Sequence, residues 1–438
     1  MRVLVVGTGA REHAICESLK NDVELYSYMS NINPGIAKIS KYRQGNELDI
    51  QKVAEYAKDS NIEIAIIGSE APLGKGIVDE LEKYDIKSVG PNISVARIET
   101  DKSFMRDLFQ EYKIPGSLNF KVFGNYEELD NFLDEYDKDV VVKPVGLTGG
   151  KGVKIVGDHL KDNNEAKNYA HEIIDTKMGG FSQVIIEEKA VGEEFTIQAF
   201  SDGKNLSPMP AVQDHPHAFE GDSGPITGGM GSYSDNNGLL PFLTQKEYDF
   251  AVGIMKKTIS AIKDKTSYYY NGILYGQFML TKDGPKLIEY NARFGDPEVM
   301  NTLPIMETPM VDVCSGIVDG KLKKVSFDDK ASVCKYLVPD GYPETKYANT
   351  LVNVNEEKIN SLGGYVYYAA VNQRDDGIYT SSSRAIGVVG IGDTISDGES
   401  IAESSCKHIQ GNLYHRRDVG KRKLVDKRIK HINEIRTY

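Results

Sequence analysis

The stretch VVVKPVGLTGGKGVKIV, residues 140–156, carries the pattern that decides the fold. An apolar run reaches Lys143, a glycine-rich loop follows over residues 146–153, and a second apolar run begins at its end. Short apolar runs bounded by turn residues are typical of buried strands. We therefore predict two strands joined across a flexible glycine loop, with a lysine at the end of the first strand.

This loop differs from the P-loop of nucleotide-binding proteins. A P-loop has four residues between its two glycines and a Ser or Thr after its lysine. Here three residues separate Gly146 from Gly150, and Gly152 follows the lysine. Because glycine permits close backbone approach, the loop still suits a flap that closes over phosphates. An ordinary hairpin loop without a ligand is the alternative.

Length and composition indicate a multidomain globular protein. The chain has 438 residues, 40% of them hydrophobic and 26% charged, with a net charge of −12. An acidic chain of this kind is a poor general nucleic-acid binder. We see no signal sequence and no run approaching the ~20 apolar residues of a membrane helix, and expect a cytoplasmic protein without membrane contact. Four cysteines without metal-site spacing are expected to be reduced, buried thiols: Cys16, Cys314, Cys334 and Cys406.

The first hundred residues alternate strands with helices, which predicts a Rossmann-like parallel sheet. Its first turn, GTGAREH at residues 7–13, has Glu12 where a dinucleotide fingerprint needs a third glycine. A nicotinamide-dependent oxidoreductase is therefore a weak alternative. We interpret the turn as one that delivers backbone N–H groups to an anion, assisted by Arg11 and His13. A purely structural turn is the other interpretation.

Two lysines are candidates for phosphate binding. Lys102 begins a predicted helix, and Lys143 ends a buried strand. A buried ammonium is costly unless it meets an anion, so the pair suits a triphosphate. Alternatively, either side chain reaches the surface along its apolar stem.

Carboxylate and amide side chains lie at the end of the segment KLIEYN, residues 286–291. Glu289 and Asn291 alternate along one predicted strand and so share a face. Together with Gln277 on the preceding strand, they offer the oxygen ligands that Mg²⁺ prefers alongside substrate phosphates. Arg293 follows directly and is suited to bind a carboxylate or phosphate. Solvated charges at a strand end are the alternative.

The C-terminal tail is locally basic. Residues 407–438 contain ten Lys or Arg against three acidic residues. A solvated helix face explains this simply. A contribution to phosphate binding or to domain docking is the alternative.

The order of motifs along the chain resembles that of a known family. It is similar to the glycinamide ribonucleotide synthetases (phosphoribosylamine–glycine ligases) of the ATP-grasp superfamily, over nearly the whole chain. The motifs that carry the resemblance are GTGAREHA, GSEAPLGKGIVD, VVKPVGLTGGKGV, VIIEEKAVGEEFT, TGGMGSYS, KLIEYNARFGDPE and YHRRDVG.

The resemblance implies an α/β multidomain architecture with an ATP-grasp fold. It places a Rossmann-like domain at residues 1–100, an ATP-grasp domain at 101–327 and a small α/β domain at 328–438. A mobile lid subdomain is expected at about 118–190.

The resemblance also implies roles for individual residues. Arg293, Lys143 and Asp214 are the expected catalytic residues, and Gln277, Glu289 and Asn291 the expected ligands of Mg²⁺ or Mn²⁺. Glu187 is expected at the amino group of adenine and Glu194 at the ribose. The full set of expected ATP-binding residues is Lys102, Lys143, Gly149, Gly150, Lys151, Gly152, Glu187, Glu188, Val191 and Glu194. The expected substrate-binding residues are Gly9, Arg11, Glu70, Pro72, Asp214, Gly229, Met230, Arg293, Asp296, Pro297 and Glu298.

The implied reaction is ligation of glycine to 5-phosphoribosylamine, with ATP cleaved to ADP and phosphate through a glycyl phosphate intermediate. These small molecules are the expected partners, and the chain is expected to act as a monomer or a weak dimer. Another ATP-grasp carboxylate–amine ligase and a non-catalytic nucleotide-binding regulator are the alternatives.

Overall fold

A computed structural model describes residues 1–148, 152–344 and 347–437. The N-terminal domain contains a parallel sheet of order β3-β2-β1-β4-β5, as the alternating pattern predicts. Its strands are β1 (Arg2–Val6), β2 (Glu24–Met29), β3 (Lys41–Gln44), β4 (Ile64–Ile67) and β5 (Lys87–Val89). Its helices are α1 (Ala10–Leu19), α2 (Pro34–Ile39), α3 (Ile50–Asp59), α4 (Glu70–Gly74), α5 (Ile77–Glu82) and α6 (Ile93–Thr100).

The next segment forms a small antiparallel sheet of order β6-β9-β7-β8. Its elements are α7 (Lys102–Glu111), β6 (Phe120–Phe123), α8 (Tyr126–Glu135), β7 (Val140–Pro144), β8 (Lys154–Ile155), α9 (Asn163–Thr176) and β9 (Val184–Glu188). An apolar cluster drawn entirely from residues between 123 and 186 fills its interior. The segment predicted as a lid thus has a core of its own.

A second antiparallel sheet, of order β11-β10-β16-β17, forms the other side of the central region. The strands here are β10 (Glu193–Asp202), β11 (Leu206–Pro208), β12 (Gln213–Asp214), β13 (His217–Phe219), β14 (Ser223–Ile226), β15 (Gly231–Ser234), β16 (Asn271–Thr281) and β17 (Gly284–Asn291), with helix α10 (Gln245–Thr266). The glycine- and proline-rich segment 202–240 is therefore ordered, as short strands and turns.

The C-terminal region combines a main sheet with a smaller one. Its elements are α11 (Val299–Thr302), α12 (Met310–Val318), β18 (Ala331–Pro339), β19 (Leu351–Val354), α13 (Glu356–Ser361), β20 (Gly364–Tyr368), β21 (Val371–Arg374), β22 (Gly377–Thr380), β23 (Ile386–Gly392), α14 (Ile395–Cys406), β24 (Ile409–Gln410), β25 (Leu413–Tyr414) and α15 (Arg422–Thr437). The main sheet has the order β12-β15-β18-β23-β20. Strands from both sides of the predicted boundary at 327/328 therefore share one sheet.

Polar contacts join the first and last domains. The backbone N–H of Tyr368 donates to Nδ1 of buried His13 at 3.0 Å. Asn33 Nδ2 donates to the carbonyls of Thr8 and Tyr368 at 2.8 and 2.7 Å. These bonds fix the turn after β1 against the C-terminal sheet.

All four cysteines are free and buried, which confirms the prediction of unpaired thiols. Among the described residues, no helix is both long and apolar enough to cross a membrane.

Candidate active site

The predicted metal ligands lie together where β16 and β17 pair. Gln277 stands directly opposite Glu289 across the two strands. Gln277 Nε2 donates to Glu194 Oε2 at 3.0 Å. Burial raises the pKa of Glu194, although the hydrogen bond from Gln277 opposes this, and the charge of Glu289 raises it further. The strand pair thus presents an oxygen-rich surface on which carboxylates lie close together.

Glu289 is the exceptional group on this surface. It is half-buried, and within the described residues its carboxylate has no hydrogen-bond or ion-pair partner. Asn291 Oδ1 accepts a 3.4 Å bond from Arg293 Nη2. The described residues contain no cluster of three or more His, Cys, Asp or Glu side chains suited to a metal. A cation held by one carboxylate and amide oxygens would therefore depend on ligand phosphates, which is typical of Mg²⁺.

Lys102 is held at the base of the glycine loop. Its Nζ donates to the carbonyl of Gly146 at 3.1 Å, and its backbone N–H donates to the carbonyl of Val145 at 2.9 Å. Burial lowers the pKa of Lys102 and nearby Lys143 lowers it further, whereas Glu289 opposes this shift. Both lysines and the unpaired carboxylate of Glu289 therefore act on one another electrostatically.

Glu187 connects Lys143 to a residue that the sequence analysis missed. Its Oε2 lies 2.6 Å from Lys143 Nζ, and its Oε1 accepts from Arg106 Nε at 2.6 Å. Burial opposes ionisation of Glu187, but the two cations outweigh it and lower its pKa to about 2. Arg106 is fully buried and also donates to the carbonyl of Ile288 in β17 at 2.9 Å. Its signal is a charged residue on the buried face of an amphipathic helix.

The remaining predicted nucleotide residues lie near the end of β9 and beside the glycine loop. Glu188 accepts from the backbone N–H and Nδ2 of Asn119 at 3.0 and 2.7 Å. Val191 is exposed, and the carbonyl of Gly152 accepts from Tyr169 Oη at 2.9 Å. Three predicted residues lie outside the described part of the chain: Gly149, Gly150 and Lys151.

Arg293 organises a second cluster, which includes three predicted substrate residues. Its guanidinium lies 3.1 Å from Glu70 Oε2 and 3.4 Å from Glu99 Oε1, and donates to the carbonyl of Phe294 at 3.0 Å. Arg11 Nη1 donates to the same carbonyl at 3.2 Å. Burial of Glu70 opposes ionisation, but Arg293 and Arg11 outweigh it and lower its pKa to about 2.

Glu99 is another residue that the sequence analysis missed. It accepts the backbone N–H of Ala292 at 2.7 Å from the end of α6. Burial raises its pKa to about 7, although Arg293 opposes this. No motif marks it, because a lone glutamate on a helix looks solvent-exposed in the sequence.

The first glycine-rich turn closes on the protein's own carboxylate. Glu12 is buried and accepts from the backbone N–H of Gly9 at 2.6 Å and from Arg11 Nε at 2.8 Å. A Cβ on Gly7 would lie 2.5 Å from Glu12 Cγ, and one on Gly68 would lie 2.2 Å from Glu12 Oε1. The expectation that this turn offers its N–H groups to an external anion is thus corrected for Gly9, because Glu12 takes that donor. Pro72 is buried nearby in α4.

Asp214 and the segment 296–298 meet at the TGGMG loop. Gly229 has a φ of 103°, and a Cβ there would lie 2.5 Å from Asp214 Oδ1 and 2.7 Å from Pro297 Cδ. Within the described residues, Asp214 Oδ1 is a buried atom without a hydrogen-bond partner. Burial raises the pKa of Asp214 well above its ordinary value, and the charge of Glu298 adds to this. Met230 is buried beside them.

Arg384 holds both of these loops from the C-terminal region. Its Nη1 donates to the carbonyls of Gly228, Gly229 and Asp296 at 2.5, 3.0 and 2.9 Å. Its Nη2 lies 3.3 Å from the Asp296 carboxylate, which also accepts from Tyr336 Oη at 2.6 Å. The sequence analysis missed Arg384, which precedes β23 in a segment without a motif.

Three family profiles match the chain in succession. Residues 1–99 match the N domain of phosphoribosylglycinamide synthetase, 100–299 its ATP-grasp (A) domain and 332–422 its C domain.

Curated proteins from archaea match over the full length. The phosphoribosylamine–glycine ligase of Methanobrevibacter smithii is 67% identical over 99% of this chain and 100% of its own. The same ligase of Methanothermobacter thermautotrophicus is 59% identical over 100% of both chains.

Solved structures share the fold. The phosphoribosylamine–glycine ligase of Thermotoga maritima superposes with a TM-score of 0.81 at 25% identity, covering 95% of this chain and 100% of that one. The biotin carboxylase domain of the Hydrogenobacter thermophilus 2-oxoglutarate carboxylase, bound to MgADP, gives a TM-score of 0.75 at 16% identity, covering 99% of this chain and 97% of that one. The second likeness extends to the fold alone.

Proposed function

The chain belongs to the phosphoribosylglycinamide synthetase family, and from this premise we propose that it joins glycine to 5-phosphoribosylamine in purine biosynthesis. It is an ATP-dependent ligase with an ATP-grasp fold. A different carboxylate–amine ligase and a non-catalytic regulator are not favoured, because the full-length curated relatives are phosphoribosylamine–glycine ligases.

We propose two successive displacements. A carboxylate oxygen of glycine attacks the γ-phosphorus of ATP, and the bond to the β–γ bridging oxygen breaks, which gives glycyl phosphate and ADP. The amine of phosphoribosylamine then attacks the glycyl carbonyl carbon. Phosphate leaves with the electron pair of the C–O bond, the amine loses a proton, and the amide of glycinamide ribonucleotide remains. Charge compensation and positioning are the main demands of such phosphoryl transfers.

The chain's own residues meet these demands in two places. We propose that Lys102 and Lys143, which both lie where β7 leads into the glycine loop, neutralise ATP phosphates. Arg293 would hold the glycine carboxylate, because Glu70 and Glu99 already fix the orientation of its guanidinium. The predicted closure of the glycine loop, which would keep water from the glycyl phosphate, involves residues 149–151 and lies outside the described residues.

The residues at the β16–β17 pair fit a divalent cation. The unpaired carboxylate of Glu289 is a hard oxygen ligand, and Gln277 donates its amide N–H to Glu194, which leaves the amide oxygen as an available ligand. Asn291 offers a third oxygen. We propose that these three residues hold Mg²⁺ or Mn²⁺, which supplies neutralisation of phosphate charge when bound.

The observation that carries the proposal is the half-buried Glu289 carboxylate, left without a partner in the described structure and within the electrostatic influence of Lys102. The test is ADP release by the purified protein with ATP, Mg²⁺, glycine and phosphoribosylamine, with product identified by mass spectrometry. ADP release should require glycine, and replacing glycine by L-alanine should reduce it strongly. ADP release at an equal rate without glycine would contradict the proposal.

We propose further that the ligase acts as a monomer in the cytoplasm. One chain supplies every candidate residue, and four unpaired cysteines favour a reducing compartment. Sedimentation at micromolar concentration should give a mass near 48.5 kDa. A stable dimer would contradict the first part of this proposal.

A further inference from the structure

The C-terminal helix α15 lies almost entirely beyond the matched family profiles. The C-domain match ends at residue 422, and α15 extends from Arg422 to Thr437. The helix is amphipathic, with Leu424, Val425 and Ile432 buried. The basic tail is therefore docked along one face, and the question is what that docking does.

Two residues of α15 bind the first residue of β10. Arg428 Nη1 lies 3.3 Å from Glu193 Oε2, and its Nη2 donates to Asp222 Oδ2 at 2.6 Å. His431 Nδ1 lies 2.6 Å from Glu193 Oε1. The side chain of Glu193 is only 6% exposed, so neither contact is an ordinary surface ion pair. Removing a partner from such a carboxylate leaves a buried charge uncompensated.

Glu193 connects the helix to two candidate site residues. Gln213 Nε2 lies 3.5 Å from Glu193 Oε2 and donates to the backbone carbonyl of Glu194 at 3.0 Å. Tyr233 Oη donates to Gln213 Oε1 at 2.7 Å and fixes the orientation of that amide. Asp214 follows Gln213 directly. A continuous chain of contacts thus joins α15 to Glu194 and Asp214.

The same helix forms a wall of the cleft in which these residues lie. The cleft has a volume of about 540 Å³. Lys427, Arg428 and His431 of α15 line it together with Glu194 and Asp214. Displacement of the helix would therefore alter the shape of the cleft.

We propose that α15 sets the geometry of the nucleotide site, with Arg428 and His431 as positioning residues that act through Glu193 on Glu194. This inference rests on the proposed function, which assigns Glu194 to the ribose of ATP. Neither Arg428 nor His431 is proposed to touch the reacting atoms.

The helix itself offers a matched control. Arg436 Nη2 donates to Glu247 at 2.7 Å and to the carbonyl of Phe242 at 3.1 Å. These contacts also dock α15 on the ATP-grasp domain, but neither Arg436 nor Glu247 lines the cleft. Arg436→Gln therefore removes the docking contacts with Glu247 and Phe242 and keeps the contacts of Arg428 and His431 with Glu193.

The experiment uses the full chain and ADP with Mg²⁺ as the probe, measured by titration calorimetry. Arg428→Gln and the milder His431→Gln should weaken ADP binding about 10-fold and 3-fold, because they act on Glu194 only through Glu193. The Michaelis constant for ATP should rise in parallel, and that for glycine should stay within about 2-fold. Arg436→Gln should lower Tm while leaving ADP affinity unchanged.

A double-mutant cycle then tests the route of the effect. If Arg428 acts through Glu193, Arg428→Gln should weaken ADP binding less in a Glu193→Gln background than in wild type. Equal ADP affinity in Arg428→Gln, His431→Gln, Arg436→Gln and wild type would overturn the inference and leave α15 as a docking element. Wild-type protein that binds ADP but does not ligate glycine would instead contradict the proposed function.

Discussion

The glycine turn at residues 7–13 and the strand end at 289–291 both resemble ligand sites in the sequence, yet they treat their carboxylates in opposite ways. Glu12 is buried and bonded to Gly9 and Arg11, so the protein satisfies it completely. Glu289 is half-buried, and the described residues offer it no partner. Because proteins normally pair their buried polar groups, an unpaired carboxylate beside lysines indicates a ligand, and a paired one indicates structure.

The largest expected effect follows from removing the unpaired carboxylate. Glu289→Gln should lower kcat by about 100-fold or more, because a ligand for phosphate-bound metal is lost at the point where charge develops. Its Tm should stay within about 2 °C of wild type, since no protein contact is broken. Steady-state kinetics and thermal unfolding of the same preparation measure both quantities.

Asp283→Asn is the matched control for this substitution. Asp283 lies exposed in the turn between β16 and β17, so the kcat of Asp283→Asn should equal that of wild type. A large fall in Tm of Glu289→Gln, with kcat per folded molecule unchanged, would assign Glu289 to structure and remove the contrast with Glu12.

The second effect is on stability and concerns Glu12. Glu12→Ala should reduce the free energy of unfolding by about 3 kcal/mol. It leaves a cavity beside Gly7, Gly9 and Gly68, and it removes the acceptor of the Gly9 N–H and of Arg11 Nε. Urea unfolding measures the change. Glu17→Ala on the same helix is the control. Glu17 pairs with Lys20 at 2.6 Å near the surface and lies 3.8 Å from Nε2 of His13, so its loss should cost less than about 1 kcal/mol. Equal costs for the two variants would show that Glu12 is not a structural element.

Local pattern in the sequence identified the strands, Lys143 at the end of one of them and Lys102 at the start of a helix. The parallel order of the first sheet and the Gln277–Glu289 pair follow from alternating strands and helices and from side-chain alternation along a strand. Contacts between side chains that are far apart in the sequence leave no such pattern. Glu99 looks like a surface charge on a helix, and the contacts of Arg106 with Glu187 and β17 are set by tertiary packing.

Glu12 shows the same limit for a residue that lies inside a recognisable motif. The sequence argues against a dinucleotide fingerprint, because Glu12 stands where the third glycine is needed. That its carboxylate folds back onto Gly9 depends on the room left by Gly68, which is 56 residues away in the chain. Motif spacing therefore argued against one class of ligand but did not predict that the Glu12 side chain occupies the turn.

The third effect tests whether the C-terminal region controls the substrate loops. Arg384→Ala should lower kcat/KM for glycine by about 10- to 100-fold, because it releases the carbonyls of Gly228, Gly229 and Asp296 together. Arg384→Lys should recover part of the loss, since a lysine can donate to fewer of these oxygens.

Arg374→Ala is the control, because Arg374 is an exposed arginine of the same region and donates to Asn349 at 2.6 Å. It should leave kcat/KM within about 2-fold of wild type. If Arg384→Ala matched this control, the loops would be positioned without help from the C-terminal region.

The smallest expected effect is a change in the pH dependence of the free energy of unfolding, caused by His13 in the turn after β1. Burial lowers the pKa of His13 from 6.5 to about 3. Between these values the unfolded chain binds a proton that the folded chain does not, so acidification below pH 6.5 destabilises the fold by up to ~1.4 kcal/mol per pH unit. His215 shifts in the same direction, to about 4. His13→Asn keeps an acceptor for the Tyr368 N–H and should make stability fall less steeply in urea unfolding at pH 7, 6 and 5, because the contribution of His13 to the slope is gone. His159→Asn, on an exposed turn between β8 and α9, should change the slope less than His13→Asn, because burial lowers the pKa of His159 as well but its side chain is exposed. Equal slopes for wild type and His13→Asn would mean that His13 becomes protonated in the folded protein. The turn after β1 would then be open to water, which would contradict a turn closed by the Glu12 side chain.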